Sequence, residues 1–183
     1  MIYEFALAQP CIAPYPHEHI HASMHRLRHM LYRERVNWDV PEHLGMEFDE
    51  FDTLRARYLV GLDGSGKVVC QTRMITCDHP YMLAELWPDL ATDRALPRTA
   101  DTAEGSRSGL DVTLPTDQQR RWYGELQIAN VEWALHHGGD RLNFVTYEQV
   151  AKGALEKAGL PVRYYGPAKP FPDGDFVAGY FPV

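Results

Sequence analysis

The stretch Glu104–Thr146, EGSRSGLDVTLPTDQQRRWYGELQIANVEWALHHGGDRLNFVT, decides the fold. Its first part, Glu104–Leu114, reads as a strand in which Gly105 and Gly109 mark bulges or bends. Thr116 caps a long amphipathic helix that reaches about His137 and stops at Gly138-Gly139. Leu142–Thr146 then reads as a short buried strand. Strand, long helix and strand make a crossover unit, which predicts a parallel, right-handed step within one sheet.

Upstream, Tyr58–Leu62 and Lys67–Thr76 flank Asp63-Gly64-Ser65-Gly66, a hairpin turn between strand-forming residues. Met1–Ala8 alternates as a first strand. His17–Val36 places Ile20, Met24, Leu27, Met30 and Leu31 at the three- and four-residue steps of a helix. Asn37–Thr53 breaks that period with Pro41, Gly45 and the acidic Glu47, Asp49, Glu50 and Asp52, and reads as a loop. A short helix over Tyr81–Leu90 leads into a polar, mobile loop over Thr92–Thr102. Downstream, Glu148–Ala158 is a helix closed by Gly159, and Arg163–Tyr165 and Asp175–Phe181 are final strands. The class is α/β (α+β): a mixed, largely antiparallel central sheet flanked by helices.

A chain of 183 residues, 45% hydrophobic and 23% charged, is expected to form a single globular domain over 1–183. No apolar run approaches the ~18 residues of a membrane span, and no signal segment opens the chain. Cys11, Cys70 and Cys77 are an odd number at unrelated spacings, so the expectation is no disulfide framework and a cytoplasmic location. Eighteen Lys and Arg against 25 Asp and Glu give a net charge of −7, which speaks against a nucleic-acid partner.

The histidines of PHEHIHASMHRLRH, His17 to His29, stand at alternating and four-residue steps, but without HExxH they read as a polar helix face rather than a zinc site. Ser106 lies in EGSRSG, not in the GxSxG of a nucleophile elbow, and neither GxxxxGK[ST] nor GxGxxG occurs. The informative set mixes charges with a tryptophan: Arg28, Trp38, Asp49, Asp52, Arg73, Glu104 and Arg107. An arginine inside VVCQTRMI is costly to bury unless paired. Two readings stay open. The charges form a structural ion-pair network, or they make a pocket in which Asp49 and Asp52 face a cation, an arginine faces a carboxylate and Trp38 offers a flat wall.

At these residues the chain resembles the acyl-homoserine-lactone synthases, the autoinducer synthases of bacterial quorum sensing. The family's Arg, three residues, Phe, five residues, Trp reads here as Arg28, Tyr32 and Trp38. Its Asp-x-x-Asp reads as Asp49-Glu-Phe-Asp52, its next arginine as Arg73, and its Glu-x-x-Arg as Glu104-Gly-Ser-Arg107. PYMLAELWPDL and LEKAGLPVRYYGP extend the likeness over most of the chain. Tyr32 replaces the family's phenylalanine, adding a hydroxyl that needs a partner, and Ser108 stands where an aromatic is usual.

The resemblance implies the acyl-CoA N-acyltransferase fold and two substrates, S-adenosyl-L-methionine and an acyl group carried as a thioester on acyl carrier protein or coenzyme A. It implies no cofactor and no metal, S-adenosylmethionine being a substrate. The amine attacks the thioester, and the homoserine carboxylate then closes to the lactone with release of 5′-methylthioadenosine. In this reading Glu104 is the base, poised by Arg107 and Arg73, Arg28 ties the acidic loop to the helix, and backbone N–H groups hold the oxyanion. Met74, Leu126, Trp133, Phe144 and Thr146 wall the acyl slot, with the Thr146 hydroxyl placed for a 3-oxo group. Arg120, Arg121, Lys152, Lys157 and Arg163 are the candidate basic face for an acidic carrier protein. The alternatives are another N-acyltransferase using acyl-CoA, and a non-catalytic ligand-binding domain; LPTDQQRRWYG lacks the pyrophosphate loop of the former.

Overall fold

The computed structural model describes residues 1–7, 11, 12, 15–157 and 159–183, without the side chains of Cys11, Ile12, Tyr15 and His17. In chain order the strands are β1 (Ile2–Ala6), β2 (Cys11–Ile12), β3 (Tyr15–Pro16), β4 (Glu42–His43), β5 (Met46–Glu47), β6 (Arg57–Leu62), β7 (Val68–Thr76), β8 (Thr102–Leu110), β9 (Arg141–Tyr147), β10 (Arg163–Tyr164), β11 (Lys169–Phe171) and β12 (Gly174–Pro182). The helices are α1 (His17–Arg28), α2 (Met82–Leu86), α3 (Thr116–His136) and α4 (Glu148–Val150). Wider π turns extend α1 over His29–Arg35 and α4 over Ala151–Leu155. Ala8 and Ala158, where the sequence ends a strand and a helix, lie outside the described residues.

The chain divides into two compact units, Met1–Met74 with Arg107–Asn130, and Ile75–Ser106 with Val131–Val183. In the first, the strands run β1-β6-β7-β8. β1 and β6 are antiparallel, as are β6 and β7, the hairpin that the Asp63–Gly66 turn announced. Helix α1 buries Ile20, Met24, Leu27 and, in its π extension, Leu31, the face that the three- and four-residue steps predict. Helix α3 comes down on Gly61, where a Cβ would stand 2.8 Å from the Trp122 ring and 2.5 Å from Cys70 Sγ. Only glycine admits that approach.

In the second unit the order is β8-β9-β12-β10, with β11 on β12. β8 and β9 are parallel, pairing Thr102 with Arg141 and Glu104 with Asn143. The crossover expected from the Glu104–Thr146 stretch is therefore present, in a mixed α/β fold with a central sheet flanked by helices.

Several segments differ from the sequence reading. β8 starts at Thr102 and stops at Leu110 rather than running from Glu104 to Leu114. It stops because Asp111 turns its carboxylate onto the N–H and hydroxyl of Thr113, at 2.9 and 2.6 Å. The acidic loop contains the small β4–β5 hairpin, its tip held by Leu44 and Gly45 at positive φ. β11, not expected at all, is three residues carrying a proline. Of the loop expected to be mobile over Thr92–Thr102, Thr102 belongs to β8 and the rest is fastened: Asp93 N–H donates to Tyr165 O at 2.8 Å, and Tyr81 Oη donates to Pro97 O at 2.8 Å.

Candidate active site

Five of the residues singled out by sequence meet inside the first unit. Arg28 at the end of α1 and Arg73 in β7 are fully buried, and Arg107 in β8 is nearly so. Arg28 donates to Glu47 and, through both terminal nitrogens, to Asp52 at 2.7 and 3.0 Å. Arg73 donates to Asp49 at 2.5 Å and Asp52 at 3.0 Å. Arg107 reaches Glu47 at 3.0 Å and Asp49 at 3.0 Å. Among the described residues, three guanidiniums are set against three carboxylates, so the cluster is neutral as a whole.

That arrangement corrects one expectation. Asp49 and Asp52 do not face an open cation site; they are turned onto Arg28, Arg73 and Arg107. The cause is burial, since a carboxylate taken out of water is stabilised most by a charged, hydrogen-bonded partner. Burial alone would raise the Asp52 pKa, but Arg28, Arg73 and the Tyr58 hydroxyl, 2.6 Å away, hold it well below the usual carboxylate range. Burial would likewise lower the pKa of Arg28, and Asp52 and Glu47 reverse that. Arg73 is raised in the same way, against its burial, by Asp49 and Asp52.

Glu47 and Tyr58 join the cluster although they stand in none of the motifs quoted above. Glu47 is fully buried and bridges Arg28 and Arg107. Its signal was its spacing two residues before Asp49 in a segment already marked as acidic.

Tyr32 finds the partner its hydroxyl requires, the carbonyl of Ser108 at 3.1 Å. Its ring stacks on Trp38 at 5.3 Å with the planes 15° apart, and the Arg107 guanidinium lies 5.2 Å from its centroid. One face of Trp38 is therefore covered by Tyr32. Arg107 adopts φ +50, the left-handed region that a non-glycine residue enters only at some cost in strain. Its guanidinium is held in place by the carboxylates named above.

In the second unit, Glu104 is 1% exposed and its carboxylate accepts the N–H groups of Met82 at 3.1 Å and Leu83 at 2.8 Å, the start of α2. The α2 amides orient the Glu104 carboxylate within this unit, while in the first unit Arg73 and Arg107 also engage Asp49, Asp52 and Glu47. Phe144 in β9 is buried, with a Cβ on Gly179 excluded by its ring at 2.7 Å. Thr146 is half-buried on the same strand, opposite Val177.

Of the histidine run, His17 lies outside the described side chains, and among the described residues no group of three potential ligands gathers for a metal. His25 is instead a core residue: its Nδ1 donates to Glu47 O at 2.7 Å and its ring stacks on Phe48 at 4.1 Å. Burial, and then Arg28, push its pKa down to about 3. An unfolded histidine titrates near 6.5, so the unfolded chain takes up the proton first. His25 thus contributes stability that is complete above pH 6.5 and is lost as pH falls toward 3. At pH 5 the loss is about 2 kcal/mol. Urea titrations from pH 7 to 5 should show it, and His25→Asn should remove that part of the slope. An unchanged slope in the variant would mean that the ring is protonated in place.

Residues 15–183 match the family described as autoinducer synthase. An acyl-homoserine-lactone synthase of Rhizobium radiobacter is 31% identical over 170 residues, which is 87% of this chain and 77% of the relative. Among solved structures, TofI in a ternary complex with an inhibitor and MTA is similar with TM-score 0.80 and 26% identity, over 99% of this chain and 90% of its own. BjaI, a CoA-dependent acyl-homoserine lactone synthase solved with SAM and isopentyl-CoA, gives TM-score 0.87 at 23% identity, over 100% and 83%. That last likeness speaks to the fold alone.

Proposed function

This chain belongs to the autoinducer synthase family, and from that membership we propose how its residues share the work. It is an acyl-homoserine-lactone synthase, an acyltransferase that uses S-adenosylmethionine and an acyl thioester and releases methylthioadenosine. Membership sets aside the alternatives of another N-acyltransferase of the same fold using acyl-CoA and of a non-catalytic ligand-binding domain.

In the first step the amine of S-adenosylmethionine forms a C–N bond to the thioester carbonyl. The C–S bond breaks, the carrier thiol leaves, and the amine proton passes to a base. Glu104 is that base, acting through water because its own oxygens are engaged by α2 amides. In the second step the homoserine carboxylate forms a C–O bond to the carbon bearing sulfonium, and methylthioadenosine departs with the C–S electrons. The sulfonium is already a good leaving group, so this step needs the folded-back geometry more than acid–base help.

The observation that carries the reading is the convergence of Arg28, Asp49, Asp52, Arg73 and Arg107 on one buried cluster. Because the cluster is neutral, its part is to fix the acidic loop, Trp38 and Arg107 as a rigid frame for S-adenosylmethionine. In this reading Arg107 takes the substrate carboxylate, and the Trp38 ring takes the cation or adenine. Phe144 and Thr146 line the acyl chain. Incubation with S-adenosylmethionine and acyl thioesters on either carrier tests this: methylthioadenosine should appear only when both substrates are present. Release with neither thioester would sink the reading.

Acyl carrier proteins are acidic, and their docking requires a basic face on a chain of net charge −7. Lys152 is paired with Glu148 at 2.6 Å, while Lys157 and Arg163 are exposed. Such a mixed surface steers weakly, so Lys152→Glu with Lys157→Glu should lower carrier-protein turnover about three- to tenfold at low salt. Turnover of a coenzyme A thioester should stay the same. Equal loss with both donors, or none with the carrier protein, would remove these lysines from docking.

A further inference from the structure

Among the described residues, the buried polar side chains of the second unit that the reaction as written does not use include Cys77, Tyr81, Asn143 and Tyr165. They lie around Glu104. Asn143 is its partner across the parallel β8–β9 pairing. The Tyr165 hydroxyl donates to Asn143 Oδ1 at 2.8 Å, and Asn143 Nδ2 donates to Cys77 Sγ at 3.5 Å. Tyr81 stands just ahead of α2, whose first two amides hold the Glu104 carboxylate.

Both tyrosines are fastened to the segment 91–101. The Tyr81 hydroxyl donates to Pro97 O, and Asp93 N–H donates to Tyr165 O. Arg98 adds a third tie, its guanidinium 5.6 Å from the Tyr81 ring centroid and 3.0 Å from Glu85 of α2. A helix of five residues does not stand by its own hydrogen bonds in water, so its position is set by what it is tied to. The carboxylate then follows the amides.

We propose that the segment 91–101 is a strap that sets the catalytic carboxylate, with Tyr81 as a positioning residue acting on Glu104 through the amides of α2. The inference rests on the reading of Glu104 as the base. Misplacing a catalytic group by 1 Å is enough to cost about 10²-fold, so loss of one tie should show in kcat rather than in substrate affinity.

Tyr81→Phe keeps the ring and removes the bond to Pro97. It should lower kcat about tenfold and leave KM for S-adenosylmethionine within about twofold. Arg98→Met, at a side chain that is 58% exposed, tests the same strap without a buried change and should lower kcat about two- to threefold. In a Glu104→Gln background, Tyr81→Phe should cost nothing further, because the group it positions is gone. If Glu104→Gln retains near-normal turnover, the base reading fails and the strap has nothing to set. If Glu104→Gln is inactive while Tyr81→Phe and Arg98→Met turn over at the native rate, the strap alone is overturned. A change of KM without kcat overturns it equally.

Discussion

Glu104→Gln is expected to lower methylthioadenosine release by about 10²-fold or more while the protein stays folded. The amine of S-adenosylmethionine is protonated at neutral pH and becomes a nucleophile only when a base takes its proton. Glutamine has the shape of glutamate and none of its basicity. It also keeps one acceptor oxygen for the two amides, at Met82 and Leu83, that Glu104 now satisfies. One hydrogen bond is lost near a buried amide, a stability cost of about 1–3 kcal/mol that a melting curve will register. Steady-state release by a folded variant decides the matter. A rate within a few-fold of the native one would make Glu104 the anchor of α2 and nothing more.

The hold of the α2 amides on Glu104 also shows where sequence reading stops. The strand, the crossover and the parallel pairing with β9 follow from hydrophobic period and turn residues, which are local signals. The amides of Met82 and Leu83 lie more than twenty positions away, and no pattern in PYMLAELWPDL says that its first N–H groups hold a distant carboxylate. The β6–β7 hairpin makes the same point. Counted outward from the Asp63–Gly66 turn in an unbroken register, Leu62 opposite Val68 would put Tyr58 opposite Thr72. A bulge at Gly61/Leu62 moves the register by one, and Tyr58 stands opposite Arg73, with its hydroxyl on Asp52. One inserted residue therefore decides which side chains share a face with the ion cluster, and glycine at 61 only hints at it. The charged residues themselves were legible by type and spacing, but their pairing was not. Asp49 and Asp52 read as free to meet a cation, but the fold sets Arg28, Arg73 and Arg107 against them.

Glu47→Gln is expected to destabilise the chain by about 3–5 kcal/mol, the range seen when one partner of a buried charge cluster is removed. Glu47 has no solvent exposure, and it takes hydrogen bonds from Arg28 and from two nitrogens of Arg107. The amide variant leaves three guanidiniums against Asp49 and Asp52, one uncompensated positive charge in a buried site. It also turns an NH2 group toward N–H donors. The hydrogen bond from His25 goes to the Glu47 backbone and survives, so the loss reports the carboxylate alone. Urea unfolding of the variant gives the size directly. Combining it with Arg107→Met, which removes the surplus charge, should recover part of the stability, since a neutral cluster costs less than a charged one. A single-variant loss below about 1 kcal/mol, the scale of an exposed pair, would mean that water reaches the cluster and that its burial does not hold the frame around Trp38.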